Sequence, residues 1–440
     1  MKPLFFRCVL ACLFFAGFPG TGFSADINAN PSDREYTLPE VCRIASKTAE
    51  QIKISENDHF IAKQNKKRAL SVLMPRATAF GSSLAYRNPD QNNPDMNAWG
   101  VKLNQSVTLN GKELIALNMA GETIEEKGFA LKAVRSDYIL QVSQAFYQIL
   151  SAKRHVEIAR SDVKRLEKHR HAVNERLKVG QVTKTALFRA EAELSGAKTA
   201  LVQSSNGLRL ARASLERLVN LEKNYTLSEG HVRELDNFVY SFEALKTHAL
   251  EQRAEIQAAE KSLAIAEKSI RYTKGSYWPT LSVEGTYSNA RIEFDEPVHT
   301  SSDTEESSIE ANLTFTLFDG GLRSADVSKA LADRRKADLA LQAKKKSILL
   351  EAKSAWLDYR TAVSVARTLK DELKSAKENF KAVQMQFKHG MADSVDMMDA
   401  NTLLVRAQRQ LSDAQYSRIL SILSIMRTRG DIVSVLRAGK

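Results

Sequence analysis
The sequence predicts a mainly α-helical protein with a small β part, and three observations carry that expectation. Its nine prolines leave two long spans, 95–278 and 298–440, with none; long helices read that way, and domains built of short elements do not. Within those spans apolar residues return every seven positions. The pattern also recurs along the chain, so the protein is read as two repeats, 26–230 and 231–440, behind a leader at 1–25.

The leader is read first. Lys2 and Arg7 precede an apolar run from Cys8 to Phe18, and small residues follow from Gly20 to Ala25. This is a secretory signal peptide, with cleavage expected near Ser24 or Ala25. Val9-Leu10-Ala11-Cys12 has the outline of a lipoprotein site, but the apolar run continues past Cys12. The mature chain then keeps only Cys42, and one thiol makes no internal disulfide. With 43% hydrophobic and 26% charged residues the chain is too apolar for wholesale disorder. Its net charge of +12 is spread with mixed sign along the helices. Solvated helix faces look like that, so no nucleic-acid partner is expected. There is no P-loop, GxGxxG after a strand, HExxH or nucleophile elbow. Neither an enzyme nor a cofactor is expected.

The repeat sets the helices. Lys178-Val179-Gly180 matches Lys388-His389-Gly390 at an offset of about 210, with Ala190 on Ala400, Leu194 on Leu404 and Leu201 on Leu411. Further upstream Pro75 falls on Pro279 and Gly81 on Gly285. Ascending helices are expected at 113–178 and 322–388, with the stripe Ile348, Ala352, Ala355, Tyr359 continuing to Phe387. The same stripe runs from Tyr138 to Leu177, apolar everywhere but Arg170. A sustained seven-residue repeat means left-handed coiled-coil packing, and its many alanines let neighbouring helices lie close. Gly180 and Gly390 mark tight turns into descending helices at 182–220 and 392–430. Two more helices, at 40–73 and 242–275, are expected to stack end to end with them.

Strands appear where the helices stop. Trp99, Val101, Leu103, Val107 and Leu109 alternate with polar neighbours, as do Ile309, Ala311, Leu313, Phe315 and Leu317. Leu281, Val283, Gly285 and Tyr287 form a third run and residues 76–86 a weaker fourth. Trp99, Tyr277, Trp278 and Phe318 stand at the ends of these runs, where interfacial aromatics sit. Each run nears the roughly 9–11 residues of a tilted membrane strand, while no stretch after the leader approaches the roughly 20 apolar residues of a membrane helix. Alternation alone fits an ordinary half-buried soluble sheet equally well. A sheet in lipid must close, however, and four strands fall short of the roughly eight needed. A membrane reading therefore requires several chains to share one barrel; a soluble periplasmic coiled-coil scaffold or adaptor is the alternative.

Taken together, Tyr36-Thr37-Leu38-Pro39-Glu40-Val41, Gly275-Ser276-Tyr277-Trp278-Pro279-Thr280-Leu281, Leu317-Phe318-Asp319-Gly320-Gly321 and the paired Gly180 and Gly390 turns give the chain a family likeness. It resembles the TolC-like outer-membrane efflux proteins over essentially the whole mature chain. The resemblance implies a homotrimer, with four strands per chain in a shared 12-stranded barrel and a helical tunnel reaching into the periplasm. It also implies a passive exit duct for tripartite efflux or type I secretion, embedded in outer-membrane lipid. Its partner would be a periplasmic adaptor, which links it to an inner-membrane RND or ABC transporter.

The hairpin tips are the candidate site. Asp396 and Asp399 share one face at i, i+3. They match the acidic residues that ring the periplasmic entrance in members of the family; from the residues alone they are two solvated carboxylates favoured by a helix dipole. Val179, Gly180, Gln181, Val182 and Thr183, with His389, Gly390 and Met391, match the segments offered to the adaptor. An Arg, a Tyr and an Asp that help close the tip in family members are here Ala392, Phe387 and Ala186. Met391, Met397 and Met398 with His389 are weak candidates for a soft Cu(I) ion, with gap-filling core methionine as the alternative.

Overall fold
The computed structural model describes residues 35–86, 95–221, 225–228, 241–294 and 300–435. The leader expected at 1–25 and most of the join expected at 220–240 lie outside the described residues.

Two pairs of long helices dominate. α3 (Lys112–Lys178) and α7 (Leu322–Lys388) have 67 residues each, about 100 Å at 1.5 Å per residue. α4 (Lys184–Val219) and α8 (Ser394–Arg429) return antiparallel to them, 36 residues each. The seven-residue stripe is the buried seam: Val142, Ala145, Ile149, Val156, Ala159, Leu166 and Val173 on α3, and Ile348, Ala352, Ala355, Ala376, Phe380 and Phe387 on α7. α3 is the more enclosed helix, with Phe146, Tyr147, Leu150 and Ile158 buried as well. On α7, Leu339, Leu350 and Leu357 stay exposed.

The two flanking helices expected as single rods are each broken. Residues 40–73 form α1 (Leu38–Thr48) and α2 (Glu50–Ser71), and residues 242–275 form α5 (Phe242–Gln252) and α6 (Ala254–Lys274). The breaks fall at Ala49 (φ −59°, ψ 122°) and Arg253 (φ −69°, ψ 120°), neither of which is glycine or proline. At Arg253 tertiary chemistry overrides helix propensity. Its buried guanidinium lies 2.7 Å from Glu255 and 3.1 Å from Glu351, and Arg427 at the end of α8 reaches the same two carboxylates and Asp137. Thr48 caps the end of α4, its hydroxyl donating to the Val219 carbonyl at 3.3 Å.

At the other end of the long helices lies an antiparallel sheet in the order β2-β3-β5-β6, formed by β2 (Arg76–Leu84), β3 (Asp95–Thr108), β5 (Thr280–Phe294) and β6 (Thr300–Thr314). A separate two-residue parallel pair joins β1 (Glu35–Tyr36) to β4 (Thr226–Leu227). Register pairs Val101 with Tyr287 and Leu103 with Gly285, and Gly285 with Ile309. Trp99, Val101, Leu103, Val283, Ile309 and Leu313 therefore share one face, and all are exposed. Lys102, Asn104, Glu284 and Glu310 share the other, with Lys102 3.2 Å from Glu284.

β6 departs from its expected bounds. It starts at Thr300 and ends at Thr314, so Phe315 and Leu317 leave the strand. Its first half carries Asp303 and Glu305 on the same face as Ile309, where they meet Arg291 (2.7 Å) and the Tyr287 hydroxyl (2.6 Å). Polar residues on both faces leave no alternation to read. Among the described residues β2 and β6 each pair on one side only, so both edges of the sheet are open within this chain.

Candidate functional site at the hairpin tips
The two turns have the same build. After α3, Gly180 adopts φ 75°, its N–H donates to Leu177 and that of Gln181 to Arg176. After α7, Gly390 adopts φ 77°, its N–H donates to Phe387 and that of Met391 to Gln386. Both are left-handed helix stops that satisfy terminal carbonyls, which is why glycine sits there. The next helices begin on side-chain caps. The Thr183 hydroxyl accepts from the Ala186 N–H, and the Asp393 carboxylate accepts from the N–H groups of Val395 (2.6 Å) and Asp396 (2.9 Å).

Asp396 completes a capping box by accepting the Asp393 N–H at 3.0 Å. It thus has a local structural role, which the sequence signal (an acidic residue three after an N-cap) already carried. Asp396 and Asp399 are both exposed on α8.

The turns meet across a cleft of about 990 Å³ lined by Gln181, Val182 and Thr183 from one side and His389, Gly390 and Met391 from the other. Arg176, Arg189 and Lys388 bring positive charge to it, and Asp393 and Asp396 negative. Val179 and Met391 are exposed at the rim. The methionine candidates are not brought together. Met397 is buried with Phe380, Phe387 and Leu404, and Met398 is buried too, whereas His389 and Met391 face solvent. The buried pair fills core, as thioethers commonly do.

Sequence reasoning missed what ties the two hairpins together. Nη2 of Arg176 donates to the carbonyl of Phe387 at 2.6 Å and to that of Lys388 at 3.1 Å, and the guanidinium lies 4.2 Å over the Phe387 ring. His169 Nε2 is 2.9 Å from Ser394 Oγ, both groups buried, and its ring stands 5.0 Å from that of Phe387. Burial, and then the positive charge of Arg176, holds the His169 imidazole below its ordinary pKa. Further along, Asn401 donates to Asp162 at 2.8 Å and accepts from Arg165 at 2.9 Å. One signal was available: the stripe fails only at Arg170, which is exposed, and the adjacent His169 takes the buried place.

A sheet that is apolar on one face and polar on the other, carrying helices of about 100 Å that end in two matched turns, is the architecture expected of an outer-membrane channel subunit. Comparison with known proteins agrees. The model of the outer membrane efflux protein family matches residues 64–221 and 245–430, and the chain belongs to that family. It is similar to the outer membrane protein TolC of Vibrio cholerae, 23% identical over 395 residues, covering 84% of this chain and 89% of that one. The fold matches the Campylobacter jejuni CmeC outer membrane channel with a TM-score of 0.78 at 16% identity, covering 95% of this chain and 94% of that one. It also matches the open state of the Neisseria gonorrhoeae MtrE outer membrane channel, with a TM-score of 0.76 at 18% identity and coverage of 90% and 89%. The protein is an outer-membrane efflux channel with its helical tunnel in the periplasm.

Proposed function
We propose that three copies of this chain form the passive exit duct of a tripartite efflux pump or type I secretion system, each copy giving four strands to a shared 12-stranded barrel. The observation that carries the reading is the four-stranded sheet with an exposed apolar face and two open edges. In hydrocarbon every peptide group must be paired, so those edges require partners, and another copy offers β2 to β6. Exposed apolar residues on α2 (Ile54, Phe60, Ile61) and on α7 (Leu339, Leu350) give self-association a further surface. The matching lengths of α3 with α7 and of α4 with α8 support two repeats, 26–230 and 231–440.

In this reading outer-membrane lipid covers the apolar strand face. The turn residues Val179 to Thr183 and His389 to Met391 receive a periplasmic adaptor that leads to an RND or ABC transporter in the inner membrane. Asp396 and Asp399 from three chains place six carboxylates around the entrance, favouring cations over anions. Neither a cofactor nor a resident metal has a part, since the duct only conducts. A photo-crosslinker at Val179 or Met391 in living cells tests the docking end. Capture of a periplasmic adaptor is the expected result; crosslinks confined to lipid or lipopolysaccharide would reverse the proposed orientation.

A further inference from the structure
Two polar contacts join the hairpin tips within one chain, one buried (His169 with Ser394) and one partly exposed (Arg176 with the end of α7). The last carbonyls of a helix have no intrahelical donor. Arg176 supplies one to Phe387 and Lys388 at the end of α7, from the neighbouring hairpin. One flank of Phe387 carries this guanidinium at 4.2 Å, and the His169 ring lies 5.0 Å away. His169 meanwhile reaches Ser394, the first residue of α8. Around these groups the seam is apolar (Val173, Ala190, Met397, Ala400), and the next polar tie between the hairpins is Asn401 with Asp162 and Arg165, further from the turns.

We propose that Arg176 and His169 form a latch between the two hairpins of each chain, which sets the registration of the turns and is released by acid. Parting the tips must break the charge-assisted bonds of Arg176, which lie among the stronger kinds of hydrogen bond, and the His169–Ser394 contact. Arg176 is the charge that acts on His169 directly. Asp162, Arg165 and Arg170 lie within two turns of it on α3, and Lys388 on α7, Asp393 and Asp396 on α8 and Arg189 on α4 line the neighbouring cleft with Arg176.

The sign of the pH effect follows from burial. In the latched state His169 is held below the ordinary histidine value, so it stays neutral there at neutral pH. Parted tips would return it to water and to a value of about 6.5. The parted state then binds more protons, so the latch loses stability as pH falls through about 6.5. These contacts lie within one chain and are independent of the docking reading, which crosslinking at the same tips tests separately.

The test is a distance measurement between spin labels on the full-length protein in lipid, carried by Val179→Cys and Met391→Cys, with labelled chains diluted by unlabelled ones. Cys42 is buried, its thiol pushed up to about 12 by burial, so it does not take the label, and Cys8 and Cys12 fall in the expected leader. At about pH 7.5 the unaltered latch should give one narrow distribution, and at about pH 5.5, a unit below the ordinary histidine value, a broader and longer one. His169→Gln, which keeps a hydrogen-bonding group without titrating, should stay narrow at both. Arg176→Gln should be broad at both, and Arg176→Lys, with one ammonium in place of the fork, intermediate. An unchanged distribution in Arg176→Gln overturns the latch. Acid broadening that persists in His169→Gln, or its absence with the native pair, overturns the release.

Discussion
Trp99 and Tyr287 pack edge to face across β3 and β5, with ring centroids 6.0 Å apart, on the apolar face of the sheet. Beyond them the same face turns polar, at Asn289 and at Arg291 paired with Asp303. Nine residues back along the chain from Tyr287, Trp278 is exposed two residues before the start of β5. That separation is about 30 Å along a strand. At a tilt of about 40° it spans close to the roughly 25 Å apolar band of an outer-membrane barrel.

In the proposed barrel this band makes the two sheet faces distinguishable. Val101→Arg should cost about 2–4 kcal/mol of barrel stability, by placing a cation in hydrocarbon. Lys102→Ala on the opposite face should leave insertion intact, since it removes only a partly exposed pair with Glu284 at 3.2 Å. Folding yield into lipid vesicles measures both. Equal losses would mean that the faces are wrongly assigned.

At the entrance, Asp396→Asn with Asp399→Asn should reduce cation selectivity in planar bilayers while leaving thermal stability unchanged, because Asn keeps a capping oxygen at 396. Asp396→Ala should in addition cost about 1 kcal/mol, by removing the acceptor for the Asp393 N–H. Reversal potentials under a salt gradient, read beside thermal unfolding, separate charge from cap.

Three glycines should respond differently to alanine. At Gly180 and Gly390 an added methyl meets nothing within 4 Å, so only the left-handed backbone objects, at about 1–2 kcal/mol each. At Gly100 the same methyl would collide with the Tyr287 carbonyl and stand 2.7 Å from the Phe80 ring, which covers Gly100 across the β2–β3 pair. Gly100→Ala should block assembly of the proposed barrel outright, as seen by absence on gels of the heat-sensitive oligomer that the unaltered chain is expected to give.

The Arg253 site predicts a pH response of its own. Burial raises Glu255 and Glu351, but the hydrogen bonds and charge of Arg253, with Arg427, outweigh it and hold both below the usual value of 4.5. Stability from these two groups is present at neutral pH and lost as pH falls below 4.5. Arg253→Met should cost about 1–3 kcal/mol at pH 7, by leaving two partly buried carboxylates with Arg427 alone, and should flatten the acid dependence. Thermal unfolding from about pH 7 to about pH 4 checks this; an unaltered acid slope in Arg253→Met would exclude the site as its source.

The long helices were legible because each carries its own period: α3 and α7 begin and end within one residue of the bounds set by the stripe and the paired glycines. Ala49 and Arg253 were not legible as breaks, since each is an ordinary helix residue locally; at Arg253 the side chain is engaged by a distant partner, Glu351, which leaves no local sequence signal. The start of β6 was hidden because Asp303 and Glu305 remove the alternation. At the tips the turn glycines were readable from spacing. Arg176 was not, because its partners are main-chain carbonyls, which leave no trace in residue identity.

The central claim is that no single chain seals the pore. Native mass spectrometry of conducting particles released from lipid counts the copies directly. The account predicts three chains per particle and none that conducts with fewer; a conducting particle of one chain, or a mature protein recovered wholly in aqueous buffer, would contradict it.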